Sequence, residues 1–211
     1  MSMETVSYLR RNDLDTLSSE TWLIERAQAR DTEAFDQIVY RYADRVYNYV
    51  LRMLGNAQDA EDVVQEVFLR AYQALPSFDG RASLSTWLYR IATNLCIDHR
   101  RKQSRRVPTV SIYRDEANED EIGEWEFADT QTPNPLEHAL NRELQQVVER
   151  AIEQLSPKLK TVLLLYDVEE LSYEEIAQVL GIPMGTVKSR LNLARTQMQK
   201  QVEAYLRGES K

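Results

Sequence analysis

The sequence predicts an all-α protein of two small helical domains joined by an acidic, extended linker, and three observations carry that expectation. Six glycines and six prolines among 211 residues are few, and the apolar residues recur at spacings of three and four rather than alternating. That helical period holds over residues 18–106, disappears over 107–135 and returns over 136–207. The aperiodic stretch is also the most acidic part of the chain. From Asp115 to Asp129 it holds Glu116, Glu119, Asp120, Glu121, Glu124 and Glu126 with no lysine or arginine, and Pro133 and Pro135 close it. Residues 1–17 precede the first block as an extension; Leu14 and Leu17 either lengthen the first helix or lie outside it.

In the first block, SSETWLIERAQAR begins a helix at a serine cap and breaks near Arg30 and Asp31. Asp31 caps a second helix whose apolar stripe is Phe35, Ile38, Val39, Tyr42, Val46, Tyr49, Val50 and Met53, ended by Gly55. NAQDAEDVVQEVFLRAYQAL forms a third, stopped by Pro76. Ser83 caps a fourth with Leu84, Trp87, Leu88, Ile91 and Leu95 on one face. Four such stripes suffice for one bundle. In the second block, Asn134-Pro135 and Ser156-Pro157 each place proline at a helix start, and SYEE, Ser172 to Glu175, has the pattern of a capping box.

Composition narrows the function. The one cysteine, Cys96, forbids an intramolecular disulfide, suits a reducing cytoplasm and reads as a small buried residue. Neither a signal peptide nor a run of about 18 apolar residues is present, so a cytoplasmic protein is expected. The only histidines, His99 and His138, lie in different blocks; no phosphate-binding glycine loop or metal-ligand spacing appears. An enzyme is therefore not expected, nor a metal or cofactor. His99, amid arginines, reads as a polar group on a DNA-facing side.

A net charge of −8 argues against indiscriminate coating of nucleic acid, yet the average hides two basic surfaces. RRKQSRR, Arg100 to Arg106, carries five basic residues in seven, and Lys188, Arg190, Arg195 and Lys200 lie along the last helix. LSYEEIAQVLGIPMGTVKSRLNLAR fits a helix-turn-helix: a first helix from Tyr173 to Leu180 with Ile176, Ala177 and Leu180 inward, Gly181 at the turn, and Val187 and Leu191 anchoring the second helix. Thr186, Lys188, Ser189, Arg190 and Asn192 then face outward at the end of a recognition helix that meets base edges, with Arg195 one turn further. The bland alternative is a hairpin with a solvated charged face, and a helix-turn-helix alone serves repressors and response regulators equally.

The first block separates those cases. FDGRASLSTWLYRIATNLCIDHRRKQSRR sets a loop of small and polar residues before a helix that bears Trp87, Tyr89 and Asn94 and ends in arginines. Aromatic rings beside cations are the chemistry of single-strand binding, although Trp87 is equally readable as core.

DAEDVVQEVFLRAYQALPSFDG, STWLYRIATNLCIDHRRK and the helix-turn-helix segment, in that order around an acidic tether, resemble the bacterial sigma factors of the extracytoplasmic-function group from about residue 20 to 205. The resemblance implies a sigma-2 domain over 18–106, a linker over 107–135 and a sigma-4 domain over 136–207. The function it implies is promoter-specific initiation by core RNA polymerase, commonly under the control of an anti-sigma factor. Asp59, Asp62, Gln65, Glu66 and Leu69 would dock on the coiled coil of the beta-prime clamp, with the flap of beta as a further contact of the polymerase. A solvated acidic flank is the alternative for the carboxylates among them. Phe78, Ser83, Trp87 and Asn94 would hold the melted minus-ten strand, with Arg100, Arg101 and Arg105 on nearby phosphates. Thr186, Lys188, Ser189, Arg190, Asn192 and Arg195 would read the minus-thirty-five element.

The tether agrees with that geometry. Fully extended, residues 107–135 reach roughly 95 Å, against roughly 60 Å between two boxes about 18 base pairs apart. Where many relatives carry an aromatic or histidine and then a basic residue after the SR of the recognition helix, this chain has Asn192 and Leu193. Base preference therefore does not carry over.

Overall fold

The computed structural model describes residues 20–106 and 135–207, with side chains over 20–103 and 144–207. Among the described residues there is no strand, and no helix is long and apolar enough to cross a membrane. The serine cap expected for the first helix and the linker up to residue 134 lie outside them.

Helix α1 (20–28) ends where Arg30 takes a left-handed φ of 68° and turns the chain into Asp31. The Asp31 carboxylate accepts from the amides of Glu33 and Ala34 and caps α2 (Thr32–Leu54). The Ala34 amide in particular holds that carboxyl below its usual range. The stripe of α2 is buried at Phe35, Ile38, Tyr42, Val46, Tyr49, Val50 and Met53. Gly55, at φ 76°, closes the helix by donating its N–H to Leu51 O at 2.7 Å.

Asn56 caps α3 (Ala57–Ala74), which buries Ala60, Val63, Val67, Phe68 and Ala71. Pro76 does not stop the chain abruptly: it sits inside a 3-10 turn, Leu75–Ser77, that continues α3. Such a turn accommodates proline because its first amides have no partner within the turn. After the loop 78–83, the Ser83 hydroxyl accepts from the Thr86 amide at 3.1 Å and starts α4 (Leu84–Arg106). Tyr49, fully buried, holds α2 to α4 through its hydroxyl on Thr93 Oγ1 at 2.7 Å and its ring edge-on to Tyr89 at 5.3 Å.

The second block runs α5 (Pro135–Glu153), α6 (Pro157–Leu163), a π turn (Leu164–Val168), α7 (Tyr173–Leu180) and α8 (Met184–Leu206). Its core gathers Leu155, Val162, Leu164, Ile176, Val187 and Leu191. Each such side chain contributes roughly 1.5–3 kcal/mol when fully buried. The π turn was not legible in the sequence: the Glu169 amide donates to Leu164 O, five residues back, at 3.0 Å.

The two blocks are packed together. Helix α7 lies on α4 and α6 touches α2, so the buried apolar side chains of both blocks form one continuous cluster.

Candidate nucleic-acid interface

The helix-turn-helix is built as the sequence implies. The Ser172 hydroxyl accepts from the Glu175 amide at 3.2 Å while the Glu175 carboxylate accepts from the Ser172 amide at 2.9 Å, a reciprocal capping box. Gly181 ends α7 at φ 62° with its N–H on Ala177 O. Ile176, Val187 and Leu191 are buried, and Ala177 and Leu180 partly so. Lys188, Ser189 and Asn192 are exposed on α8, with Thr186 and Arg190 half-buried beside them.

Two of the cations are pre-placed by aromatic rings. Tyr166 and Tyr173 stack at 4.9 Å with 12° between their planes; the Arg195 guanidinium lies 5.0 Å from the Tyr166 ring and the Lys188 ammonium 5.4 Å from Tyr173. Arg195, expected on DNA, is also bound within the protein: its Nε donates to Asp167 Oδ2 at 3.2 Å and its Nη2 to Asp167 Oδ1. A guanidinium neutralised in this way orients the helix more than it attracts phosphate. Tyr166 and Asp167 were not singled out from the sequence, and only their position next to the helix-turn-helix hinted at them.

The loop before α4 is held from three sides. Phe78 packs on Trp87 with ring centroids 5.2 Å apart, so Trp87, half-buried, serves as core on one edge and remains partly open on the other. Gln28, absent from the sequence expectations, donates to Phe78 O at 2.7 Å and to Leu75 O at 3.3 Å, tying α1 to the loop. Asp79 accepts from the Arg81 amide at 3.1 Å, and Gly80 takes a φ of 70°. Along α4, Trp87, Asn94 and Arg101 recur every seven residues on one face; Asn94 and Arg101 are exposed, and Arg90, also exposed, lies one turn before Asn94.

Two basic-end expectations need revision. Arg100 is half-buried, its Nη1 has no hydrogen-bond partner among the described residues, and its charge acts on Cys96 and Lys160, so it faces inward rather than lining a strand path. His99 is also turned inward: its Nε2 lies 3.3 Å from Asp59 Oδ2 on α3. Arg105 falls outside the described side chains, as does His138.

On α3, Asp59, Asp62, Glu66 and Leu69 follow three-four spacing along one face and Gln65 lies beside them. Asp62, Gln65 and Leu69 are exposed, Leu69 at 52% despite being apolar. Glu66 accepts from Arg70 Nε at 2.6 Å. Leu69 thus leaves one apolar side chain open to solvent among these carboxylates. Among the described residues no group of histidine, cysteine and carboxylates could hold a metal ion.

Comparison with known proteins identifies the family of both blocks. Residues 38–106 match the family described as Sigma-70 region 2, and residues 145–198 match Sigma-70, region 4. The RNA polymerase sigma-H factor of Pseudomonas aeruginosa is 38% identical over 192 residues, covering 91% of this chain and 98% of that protein. The ECF RNA polymerase sigma-E factor of Escherichia coli (strain K12) is 40% identical over 185 residues, covering 88% and 95%. Two solved structures share the fold. CnrH in complex with the cytosolic domain of CnrY has a TM-score of 0.62 at 24% identity, covering 88% of this chain and 98% of that one. The sigma factor RpoE in complex with the anti-sigma factor NepR from Bartonella quintana has a TM-score of 0.59 at 22% identity, covering 80% and 96%.

Proposed function

Given that the chain belongs to the extracytoplasmic-function group of sigma-70 factors, binding core RNA polymerase and directing promoter-specific initiation, we propose that three of its surfaces divide that work. The α3 face of Asp59, Asp62, Gln65, Glu66 and Leu69 docks on the beta-prime clamp. The loop from Phe78 to Ser83, with Trp87, Asn94 and Arg101, takes the melted minus-ten strand. Thr186, Lys188, Ser189, Arg190 and Asn192 read the minus-thirty-five duplex. The division falls at 18–106 for polymerase and strand, 107–135 for the linker and 136–207 for the duplex.

The observation that carries this reading is the exposed row on α8, whose cation at Lys188 is already positioned over Tyr173. Arginine or lysine pairs with guanine and asparagine with adenine, while serine and threonine hydroxyls fix phosphates. The chain supplies no catalytic group of its own: strand opening draws on binding energy, since a base removed from the stack is compensated by a pocket and aromatic contacts. An anti-sigma protein, the kind of partner bound to the Bartonella quintana factor, restrains it by covering the same surfaces.

Run-off transcription with core polymerase on genomic promoter fragments tests the reading. Initiation at defined starts only when this protein is added supports it, and Arg190→Ala then weakens use of promoters that depend on the upstream box. Failure to bind core, together with shifting of duplex DNA as a dimer, refutes it in favour of a stand-alone regulator.

A further inference from the structure

The C-terminal half of α4 turns a charge inward at a place where no carboxylate meets it. Arg100 is half-buried overall, yet its Nη1 is shut off from solvent and has no hydrogen-bond partner among the described residues. Lys160 on α6 is only 3% exposed, and its Nζ donates to the Arg52 carbonyl near the end of α2 across 3.4 Å. That bond is long and occupies one of the ammonium's donors. Among the described residues neither cation forms an ion pair.

The surroundings record the cost. Burial first, and then the Arg100 charge, hold the Lys160 ammonium below the usual lysine range, while exposed Glu153 on α5 opposes them from a distance. The Arg52 guanidinium is likewise lowered by burial, against Glu169 and Glu149. Arg100 also acts on Cys96, one turn earlier on α4 and fully buried, so its charge points into the protein.

A cation withdrawn from water is costly unless an anion and its hydrogen bonds replace the lost hydration. Here two are withdrawn close together, and they also repel each other. Apolar side chains of similar length would seal the same seam without that cost. One small oxyanion between them suits the arrangement: a guanidinium offers a flat fork, an ammonium a point charge, and a tetrahedral oxyanion has oxygens for both.

Size and charge narrow the ligand. Both donors are buried, so a nucleic-acid backbone or a peptide reaches them only if helices move, whereas a free ion or a terminal phosphate fits between side chains. Two cations with Arg52 beside them match the charge of about −2 on a phosphate better than the single charge of a carboxylate. Both blocks supply the groups, α2 and α4 from the first and α6 from the second.

We propose that Arg100 and Lys160, flanked by Arg52, form a binding site for a phosphate group at the junction of α2, α4 and α6. Neither Arg100 nor Lys160 belongs to the surfaces assigned above to polymerase or DNA, so this site and the promoter reading fail separately.

Scanning calorimetry of the full chain at pH 8 tests it, with sodium phosphate compared against sodium chloride of equal ionic strength. Phosphate at about ten times its dissociation constant is expected to raise the melting midpoint by about 3–6 °C, and chloride to leave it unchanged. Arg100→Gln and Lys160→Met each weaken phosphate affinity about tenfold, as the loss of a charge-assisted hydrogen bond. Lys102→Gln, which removes an exposed cation from the same helix, keeps the full response and separates the site from general attraction to a basic helix end. Lys160→Met carries a second readout. Without phosphate its midpoint equals or exceeds that of the wild type, because a buried charge has given way to an apolar chain. A lysine kept for packing alone would lose stability in both buffers.

Phenyl phosphate distinguishes the sources. A response to inorganic phosphate alone marks a closed site for the free ion, and a response to both marks one that admits a phosphate ester; either supports the site. Equal midpoints in phosphate and chloride overturn the proposal, the two cations then being hydrated by water alone. So does a phosphate response that Arg100→Gln and Lys160→Met leave unchanged, or one that Lys102→Gln abolishes.

Discussion

Gly185 occupies the second position of α8, in the first turn of the helix assigned to the upstream duplex. Its φ is not left-handed, and a Cβ added there would meet nothing within 4 Å. Nothing inside the protein asks for glycine. Gly185→Ala therefore removes backbone freedom from the unfolded chain without strain in the folded one, a gain of about 0.4–1 kcal/mol. For a chain of this size that is a rise in melting midpoint of about 1–4 °C. If α8 enters the groove by its N-terminal turn, the open space at Gly185 is where a phosphate approaches the free helix-start amides, and a methyl group there holds it off. Affinity of the reconstituted polymerase for a duplex carrying the upstream box should fall about tenfold, equivalent to about 1.4 kcal/mol. Scanning calorimetry on the free chain and fluorescence anisotropy on the labelled duplex measure the two effects separately. A higher midpoint with unchanged affinity would refute the docking of this turn on the backbone, and a lower midpoint would refute the conformational argument.

Gly181→Ala should behave oppositely, losing about 1–2 kcal/mol because φ 62° is left-handed although space is open; the same calorimetry reads it. Leu191→Ala removes a side chain 1% exposed at the centre of the second block and should cost about 3–5 kcal/mol, with loss of upstream-box recognition at 37 °C, checked by denaturant melts and anisotropy. The Cys96 thiol, pushed up to about 12 chiefly by burial, should resist iodoacetamide at pH 8 and react at the rate of unfolding, as followed by mass spectrometry. Burial raises the Glu169 carboxyl pKa, against the opposing influence of Tyr89, Arg45 and Arg52. Its contribution to stability is therefore complete below the usual carboxylate range and is lost as pH rises through the raised value. The calorimetric midpoint of the free chain should fall over that window in the wild type, and Glu169→Gln should remove that component.

The helices were legible because each boundary has a local cause. Asp31, Ser83, Ser172, Gly55 and Gly181 act through their own side chains or their own φ, and a residue read from the sequence is sufficient to place them. The apolar stripes were equally local, and Ile176, Val187 and Leu191 are buried as their spacing implies. What was not legible depends on partners distant in sequence. Gln28 holds the loop at Phe78 from 50 residues away, and the short bond of Tyr89 to Glu169 spans 80. Arg195 illustrates the intermediate case: its position on α8 was readable, but its neutralisation by Asp167 required knowing that the π turn faces the middle of that helix. Charge and spacing say which residues can meet DNA; they do not say which of them the protein has already engaged.

That five-residue turn, Leu164–Val168, carries one residue more than an α-helical turn needs. Asp167 leaves it toward Arg195, and Glu169, two residues later, leaves it toward Tyr89. Removing a single residue there would restore the ordinary helical repeat and turn everything downstream by about 100°. A residue removed before Asp167 would turn Asp167 and Arg195 together and keep their bond, whereas Glu169 would swing away from Tyr89, which lies upstream on α4. The extra residue thus sets the register of the second block against the first, and a one-codon deletion is the shortest route to a chain in which that register is lost.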